Sequence, residues 1–216
     1  MRKPHVLFLT DDADICRLLF PLLQESGVDA VLTTSLEDAL ARWHEGRYDL
    51  IVVDVETGSL DGATVCRRLR AEVVNPIILA AHEHDERAII AAYEAGVDDF
   101  IAKPIGLRLY CRKMVAWLRH AGTVPAHLLQ RLELGPFALY AQKRQLQLIH
   151  EDGTAIRLTN LEFRLLHLLM SQEGQVLEND FIADRVWGSL HAHSTTALKS
   201  VVYRVRQKLE PVADGL

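Results

Sequence analysis

Residues 49–54 read DLIVVD, four apolar residues, three of them β-branched, closed by an aspartate. No polar residue interrupts the run, so the strand it predicts is covered on both faces, as in the interior of a parallel sheet. Outward from it, HVLFLT (5–10), DAVLTT (29–34), PIILAA (76–81) and DDFIA (98–102) read as four more strands. Between them stand the helical patterns DICRLLFPLLQES (14–26), LEDALARWHEG (36–46), DGATVCRRLRAE (61–72) and DERAIIAAYEAG (85–96), with GLRLYCRKMVAWLRH (106–120) after the fifth strand. Five strands separated by helices predict one doubly wound α/β domain. Pro21 falls inside the first helical pattern, where its missing N–H is expected to kink the helix.

The rhythm breaks at AGTVPAHLLQR (121–131), which reads as a linker between a first domain at 1–120 and a second at 132–216. The second domain begins as β, with LELGPFAL (132–139), RQLQLIH (144–150) and TAIRL (154–158), and Asp152-Gly153 as a hairpin turn signal. It then turns helical. Thr159 and Glu162 have capping-box spacing, opening a helix through Leu161, Leu165, Leu168 and Leu169. A second helix is predicted at Asn179–Trp187 and a third at Thr195–Leu209.

Composition excludes several classes. With 216 residues, 49% hydrophobic and 25% charged, the chain is too apolar to be disordered and too mixed to be fibrous. No apolar run approaches the roughly 20 residues that cross a bilayer, and the first is too short for a signal-peptide core. No membrane partner and a cytoplasmic location are expected. Cys16, Cys66 and Cys111 each fall in a helical pattern and imply neither a disulfide framework nor a metal site. Residues 1–121 carry 14 basic and 19 acidic side chains, whereas residues 122–216 carry ten of each. Within the second set, Thr195–Leu209 holds Lys199, Arg204, Arg206 and Lys208 and no acid, a modest nucleic-acid signal.

Asp11 and Asp12 follow the first strand, Asp54 ends the third, and Lys103 follows the fifth. In a flavodoxin-like order, 2-1-3-4-5, strands 1 and 3 are neighbours and their carboxyl ends share the edge where ligands gather. Three carboxylates converging there require a cation, and an all-oxygen ligand set suits Mg²⁺. An aspartate in such a site can act as a nucleophile and form an aspartyl-phosphate, with Lys103 pairing the phosphoryl oxygens.

The sequence resembles two-component response regulators of the OmpR/PhoB type over nearly its whole length. The motifs are TDD (10–12), VVD (52–54), DG (61–62), AGVDDFIAKP (95–104), LTNLEFRLLHLLM (158–170), VWG (186–188) and VYRVRQKLEP (202–211). The resemblance implies a receiver domain followed by a smaller winged helix-turn-helix DNA-binding domain. Asp54 would accept a phosphoryl group from a sensor histidine kinase. Asp12, Asp54 and the Glu56 carbonyl would bind Mg²⁺, with Asp11 helping through water, and Phe100 falls on the aromatic switch position. The receiver would promote only its own phosphorylation and dephosphorylation and would not otherwise be an enzyme. The family's wing would follow the third helix and is expected to be missing from these residues, which end at Leu216.

Two departures bear on the switch. Ala81 stands where the family has a Ser or Thr, removing a charge-assisted hydrogen bond worth ~1.5–3 kcal/mol. Gly58 replaces the usual proline after the phosphoacceptor. These departures keep a second expectation open, a regulator that acts without phosphorylation. The Asp54-x-Glu56 spacing raises a remoter one, an aspartyl-phosphate phosphatase.

In the third helix of the second domain, Leu198, Val202, Val205 and Leu209 form an apolar stripe, with Lys199, Tyr203, Arg204 and Arg206 off it. By resemblance, Arg204 is the expected base contact, and Lys199, Tyr203 and Arg206 are expected to meet phosphates. The resemblance also implies a homodimer through the fourth helix, fifth strand and fifth helix of the receiver. Ile90, Tyr93 and Cys111 would form its apolar patch. Ile89 and Leu109 replace one of the family's ion pairs, and Asp99 with Lys113 retains another.

Overall fold

The DLIVVD run forms β3 (Leu50–Val55), and every residue of it is buried. The computed structural model describes residues 2–55, 61–82, 86–122, 131–140, 143–149, 155–187 and 195–213. Around β3 lie β1 (His5–Thr10), β2 (Asp29–Thr33), β4 (Ile77–Ala81) and β5 (Asp99–Ala102), all parallel, in the order β2-β1-β3-β4-β5. The expected sheet and strand order are both present. The helices are α1 (Ala13–Glu25), α2 (Leu36–Glu45), α3 (Gly62–Glu72), α4 (Glu86–Glu94) and α5 (Leu107–Gly122). Pro21 lies inside α1, which continues as one helix through it. α5 runs two residues into the segment expected as linker; residues 123–130 lie outside the described residues.

Alternation along the strands assigns the sheet's two faces. Leu7, Leu9, Ile51, Val53, Ile77 and Leu79 pack in one cluster with Val65, Cys66 and Leu69 of α3. Phe8, Val52 and Asp54 therefore point to the opposite face, the one that α1 and α5 cover. Asp54 thus belongs to a buried face by strand parity, a consequence of closing an apolar strand with an acid.

A buried ion pair ties the first face together. Arg70 of α3 donates to the carbonyls of Val73, Asn75 and Gly96 and to the carboxylate of Asp98, which also accepts the Ile77 N–H at 2.9 Å. Gly96 has φ +102°, and a Cβ there would stand 2.6 Å from Arg70 Cγ, so the close approach requires glycine. Asp98, the first acid of the DDF stretch, is therefore structural.

The chain divides into two compact units, Met1–Gly122 and Thr123–Leu216. In the second, β6 (Leu132–Leu134), β7 (Phe137–Tyr140), β8 (Gln145–Leu148) and β9 (Ala155–Arg157) form an antiparallel sheet in sequence order. LELGPFAL, read as β, forms two strands, because the chain folds back at Gly135-Pro136 with Gly135 at φ +55°. Asp152-Gly153 lies outside the described residues. The helices are α6 (Asn160–Ser171), α7 (Asn179–Trp187) and α8 (Thr195–Ala213). The capping box at α6 forms as predicted: Glu162 accepts the Thr159 N–H at 2.8 Å, and the Thr159 hydroxyl oxygen accepts the Glu162 N–H at 3.4 Å. α8 extends past the predicted Leu209, carrying Pro211 inside it.

Candidate functional site

Register brings the predicted chemistry to one edge. Thr10 of β1 pairs with Asp54 of β3, so Asp11 and Asp12 follow immediately beside it. Ala81 pairs with Val55 on one side and Ala102 on the other, and its carbonyl accepts the Lys103 N–H at 3.0 Å. Lys103 thus enters beside Asp54 across the end of β4.

Asp54 is 0% exposed. Its Oδ1 accepts from the Lys103 ammonium, and its Oδ2 accepts from the Tyr110 hydroxyl at 2.7 Å. Tyr110 belongs to α5, is fully buried, and meets the Phe8 ring edge-on with centroids 6.3 Å apart. Burial first, and the Asp54 charge second, push the Tyr110 hydroxyl well above the ordinary tyrosine range, so it remains a donor. The same causes, with Asp12 added, raise the Cys16 thiol to about 11. A protonated, buried thiol is a poor nucleophile, consistent with Cys16, Cys66 and Cys111 all being free and buried.

The expected convergence of three carboxylates is not met. Among the described residues, no group of three or more His, Cys, Asp or Glu side chains is placed to hold a metal ion. Asp12 is turned back onto α1, where its Oδ1 accepts from the N–H groups of Asp14 and Ile15 at 2.9 and 3.2 Å. Asp54 is turned toward Lys103 and Tyr110, and Asp11 is exposed at the edge. Glu56 and Gly58 lie outside the described residues. Mg²⁺ nonetheless fits the donors at this edge, because it needs only one or two carboxylates beside waters and a phosphate.

Sequence reasoning missed Tyr110. It placed position 110 in the helical pattern GLRLYCRKMVAWLRH (106–120) and gave the residue no role. The available signal was that a buried tyrosine must find a partner for its O–H.

The proposed dimer patch needs correction at two residues. Tyr93 and Cys111 are buried, 6% and 5% exposed. Cys111 packs toward α1, its Sγ 3.9 Å from the Ser26 hydroxyl. Helical phase puts it with Tyr110 and Met114 on the inward side of α5. Leu109 is 57% exposed, and Ile89 and Ile90 are half-buried. Asp99 accepts from Trp117 Nε1 at 2.9 Å and stands 3.9 Å from Lys113 Nζ, both within one chain. Phe100 is half-buried against the core cluster, and Ala81 is buried.

On α8, Leu198, Val201 and Val205 are buried, whereas Lys199, Tyr203 and Arg206 are exposed. Arg204, the expected base contact, is not on that face. Its side chain is 11% exposed, with Nε 3.4 Å from Oε1 of Glu162, which is itself 1% exposed. Lys208 reaches Oε2 of the same carboxylate at 2.6 Å and donates to the Arg157 carbonyl at 2.9 Å. Val201, Arg204, Val205 and Lys208 are spaced i, i+3, i+4 and i+7, so they share the face that packs on α6. A carboxylate so deeply buried requires compensating charge. Burial pushes the Glu162 pKa up; Lys208, the Thr159 N–H and Arg204 outweigh it and leave the carboxyl below its ordinary value.

A parallel sheet in 2-1-3-4-5 order with a buried Asp–Lys pair at its carboxyl edge defines a receiver, and the second unit carries a basic helix of the kind that enters a DNA groove. Residues 6–114 match the family model for the response regulator receiver domain. Residues 153–215 match that of the transcriptional regulatory protein C-terminal domain. Sensory transduction protein RegX3 of Mycobacterium tuberculosis is 30% identical over 206 residues, 95% of this chain and 89% of that protein. DNA-binding response regulator MtrA of Mycolicibacterium paratuberculosis is 30% identical over 208 residues, 96% of this chain and 90% of that protein. Among solved structures, a mutant of RitR superimposes with TM-score 0.76 at 21% identity, covering 95% of this chain and 90% of that one, which is a likeness of fold. The chain belongs to the OmpR/PhoB-type response regulators, with a receiver domain and a C-terminal DNA-binding domain.

Proposed function

We propose that this DNA-binding response regulator is switched by phosphorylation of Asp54 from a sensor histidine kinase. The observation that carries the reading is the buried ion pair of Asp54 and Lys103 at the sheet's carboxyl edge. In the transfer, one Asp54 carboxylate oxygen bonds to phosphorus as the bond from phosphorus to the donor's histidine nitrogen breaks. The electron pair stays on that nitrogen, and the ring, protonated on its other nitrogen in the phosphorylated donor, leaves as neutral imidazole. Lys103 exchanges a carboxylate oxygen for a phosphoryl oxygen, so its charge is never left uncompensated. Asp12, Asp54 and the Glu56 carbonyl would hold Mg²⁺, with Asp11 helping through water, and the ion would supply neutralising charge to the phosphoryl oxygens. Apart from this self-modification, the chain performs no turnover in this reading.

Lys199, Tyr203 and Arg206 form the DNA-facing surface, supported by their exposure on one side of α8. The receiver pairs with a second copy through α4, β5 and α5, a reading supported by the exposure of Leu109 on α5 and the partial exposure of Ile89 and Ile90 on α4. No helix among the described residues is long and apolar enough to cross a membrane, which fits a regulator that works on DNA in the cytoplasm. The decisive experiment is intact-mass spectrometry after incubation with Mg²⁺ and an acyl phosphate. One phosphoryl adduct is expected on the wild type and none on Asp54→Asn. Continued modification of that variant would falsify the assignment.

A further inference from the structure

Ala81 offers the site no hydroxyl, yet one is present, contributed from the other side of the sheet by Tyr110. Its O–H engages Asp54 Oδ2 at 2.7 Å while the Lys103 ammonium engages Oδ1. Both carboxylate oxygens are therefore held, and Asp54 exposes no surface. Attack on phosphorus requires one of those oxygens to face the donor at about 3–3.5 Å. The Lys103 contact is compatible with that geometry, because a cation follows the charge onto the phosphoryl group. The Tyr110 contact is not. Its ring is seated in the core against Phe8, on the face covered by α1 and α5, so its O–H draws Oδ2 inward and away from the edge where a donor arrives.

We infer that Tyr110 is a positioning residue that locks the phosphoacceptor: its hydroxyl holds the Asp54 carboxylate turned into the domain, and phosphoryl transfer waits for that bond to open. The inference rests on Asp54 being the phosphoacceptor. It makes reactivity proportional to the fraction of molecules in which the hydrogen bond is broken. A hydrogen bond to a charged group is worth enough to hold that fraction near a tenth or below. The pinned element is α5, which also carries Leu109, so the bond ties the acid to the helix of the proposed dimer face.

The test compares the full-length wild type with Tyr110→Phe, which keeps the ring and removes only the hydroxyl, and with Tyr110→Leu. Labelling by an acyl phosphate in Mg²⁺ is followed by intact mass. The Asp54 carboxyl carbon is observed separately by NMR in ¹³C-aspartate protein without donor, assigned through Asp54→Asn. Both Tyr110 variants are expected to label about tenfold faster, and the Asp54 carboxyl resonance is expected to move in Tyr110→Phe. Phe8→Leu, which loosens the same packing but keeps the hydroxyl, should label at close to the wild-type rate. Equal labelling of wild type and Tyr110→Phe, or equal acceleration by Phe8→Leu, overturns the lock and leaves the phosphoacceptor reading intact. No labelling of any protein overturns the phosphoacceptor reading, and the lock with it.

Discussion

Ala81 is one of the two departures from the family, read in the sequence, that bear on the switch, and its surroundings define what a hydroxyl would add. It is buried between Val55 and Ala102, with its own carbonyl holding the Lys103 N–H. Ala81→Thr introduces a donor beside the phosphoryl group, and the phosphorylation-dependent gain in dimerisation or DNA affinity should grow by roughly tenfold, the worth of one charge-assisted bond. An unchanged gain, measured by titrating phosphorylated and unphosphorylated variant, would refute this. In the second domain, the Glu162 cluster predicts a pH effect. Its folded pKa lies below the ordinary 4.5, so the stability it contributes is complete above that value and is lost as pH falls through the depressed folded value. Glu162→Gln should flatten acid unfolding of the second domain in that window, as followed by circular dichroism. The meeting of Asp54 with Lys103 and the Thr159–Glu162 cap were legible, because a motif fixes where each residue falls on its element. Tyr110 and Arg204 were not, because a side chain's function there depends on which way a helix face turns in the folded core. Four residues of an apolar stripe do not fix that phase to within one position.

At the scale of elements, β1, β3 and β4 were readable because parallel strands covered on both faces are apolar throughout, and the half-buried edge strands β2 and β5 through their alternation with helical patterns. The start of α6 was readable because Thr159 and Glu162 cap it, whereas the caps supplied by Asp12, Ser35 and Asp61 emerged only in the structure. The split of LELGPFAL into β6 and β7 was harder to see, since a two-residue turn at Gly135-Pro136 leaves strands of only three and four residues. The α4–β5–α5 face carries the strongest element-level expectation. Leu109 is exposed on it with Ile89 and Ile90 half-buried, whereas Tyr93 and Cys111 have turned inward. Each aliphatic side chain buried in a dimer contributes about 1.5–3 kcal/mol, against ~0–1 for the exposed ion pair it replaces. The receiver should therefore dimerise without phosphodonor and with little dependence on salt. Sedimentation at tens of micromolar protein checks it: Ile89→Arg with Leu109→Arg should return a monomer, and a dimer indifferent to that change would place the interface elsewhere.

Over the whole molecule, charge is divided so that the receiver half carries the excess of acid while the second half is neutral and concentrates bases on α8. Those bases do two different jobs. Arg204 and Lys208 turn inward and neutralise Glu162, while Lys199 and Arg206 face out with Tyr203. The two pairs should separate in DNA binding by the full-length protein. Each exposed cation that meets a phosphate releases counterions, so Lys199→Ala and Arg206→Ala should each reduce the slope of log affinity against log salt by about 0.9. Arg204→Met should behave otherwise. It strips one cation from a buried carboxylate that keeps Lys208, costing the second domain about 1–3 kcal/mol of stability. At a temperature where that variant remains folded, its salt slope and its preference for specific over random DNA should match the wild type. Fluorescence anisotropy over a salt series, beside a thermal melt of each variant, reads both quantities. If Arg204→Met relaxes sequence preference with its melting temperature unchanged, the residue reads bases after all, and the Glu162 cluster does not hold it in place.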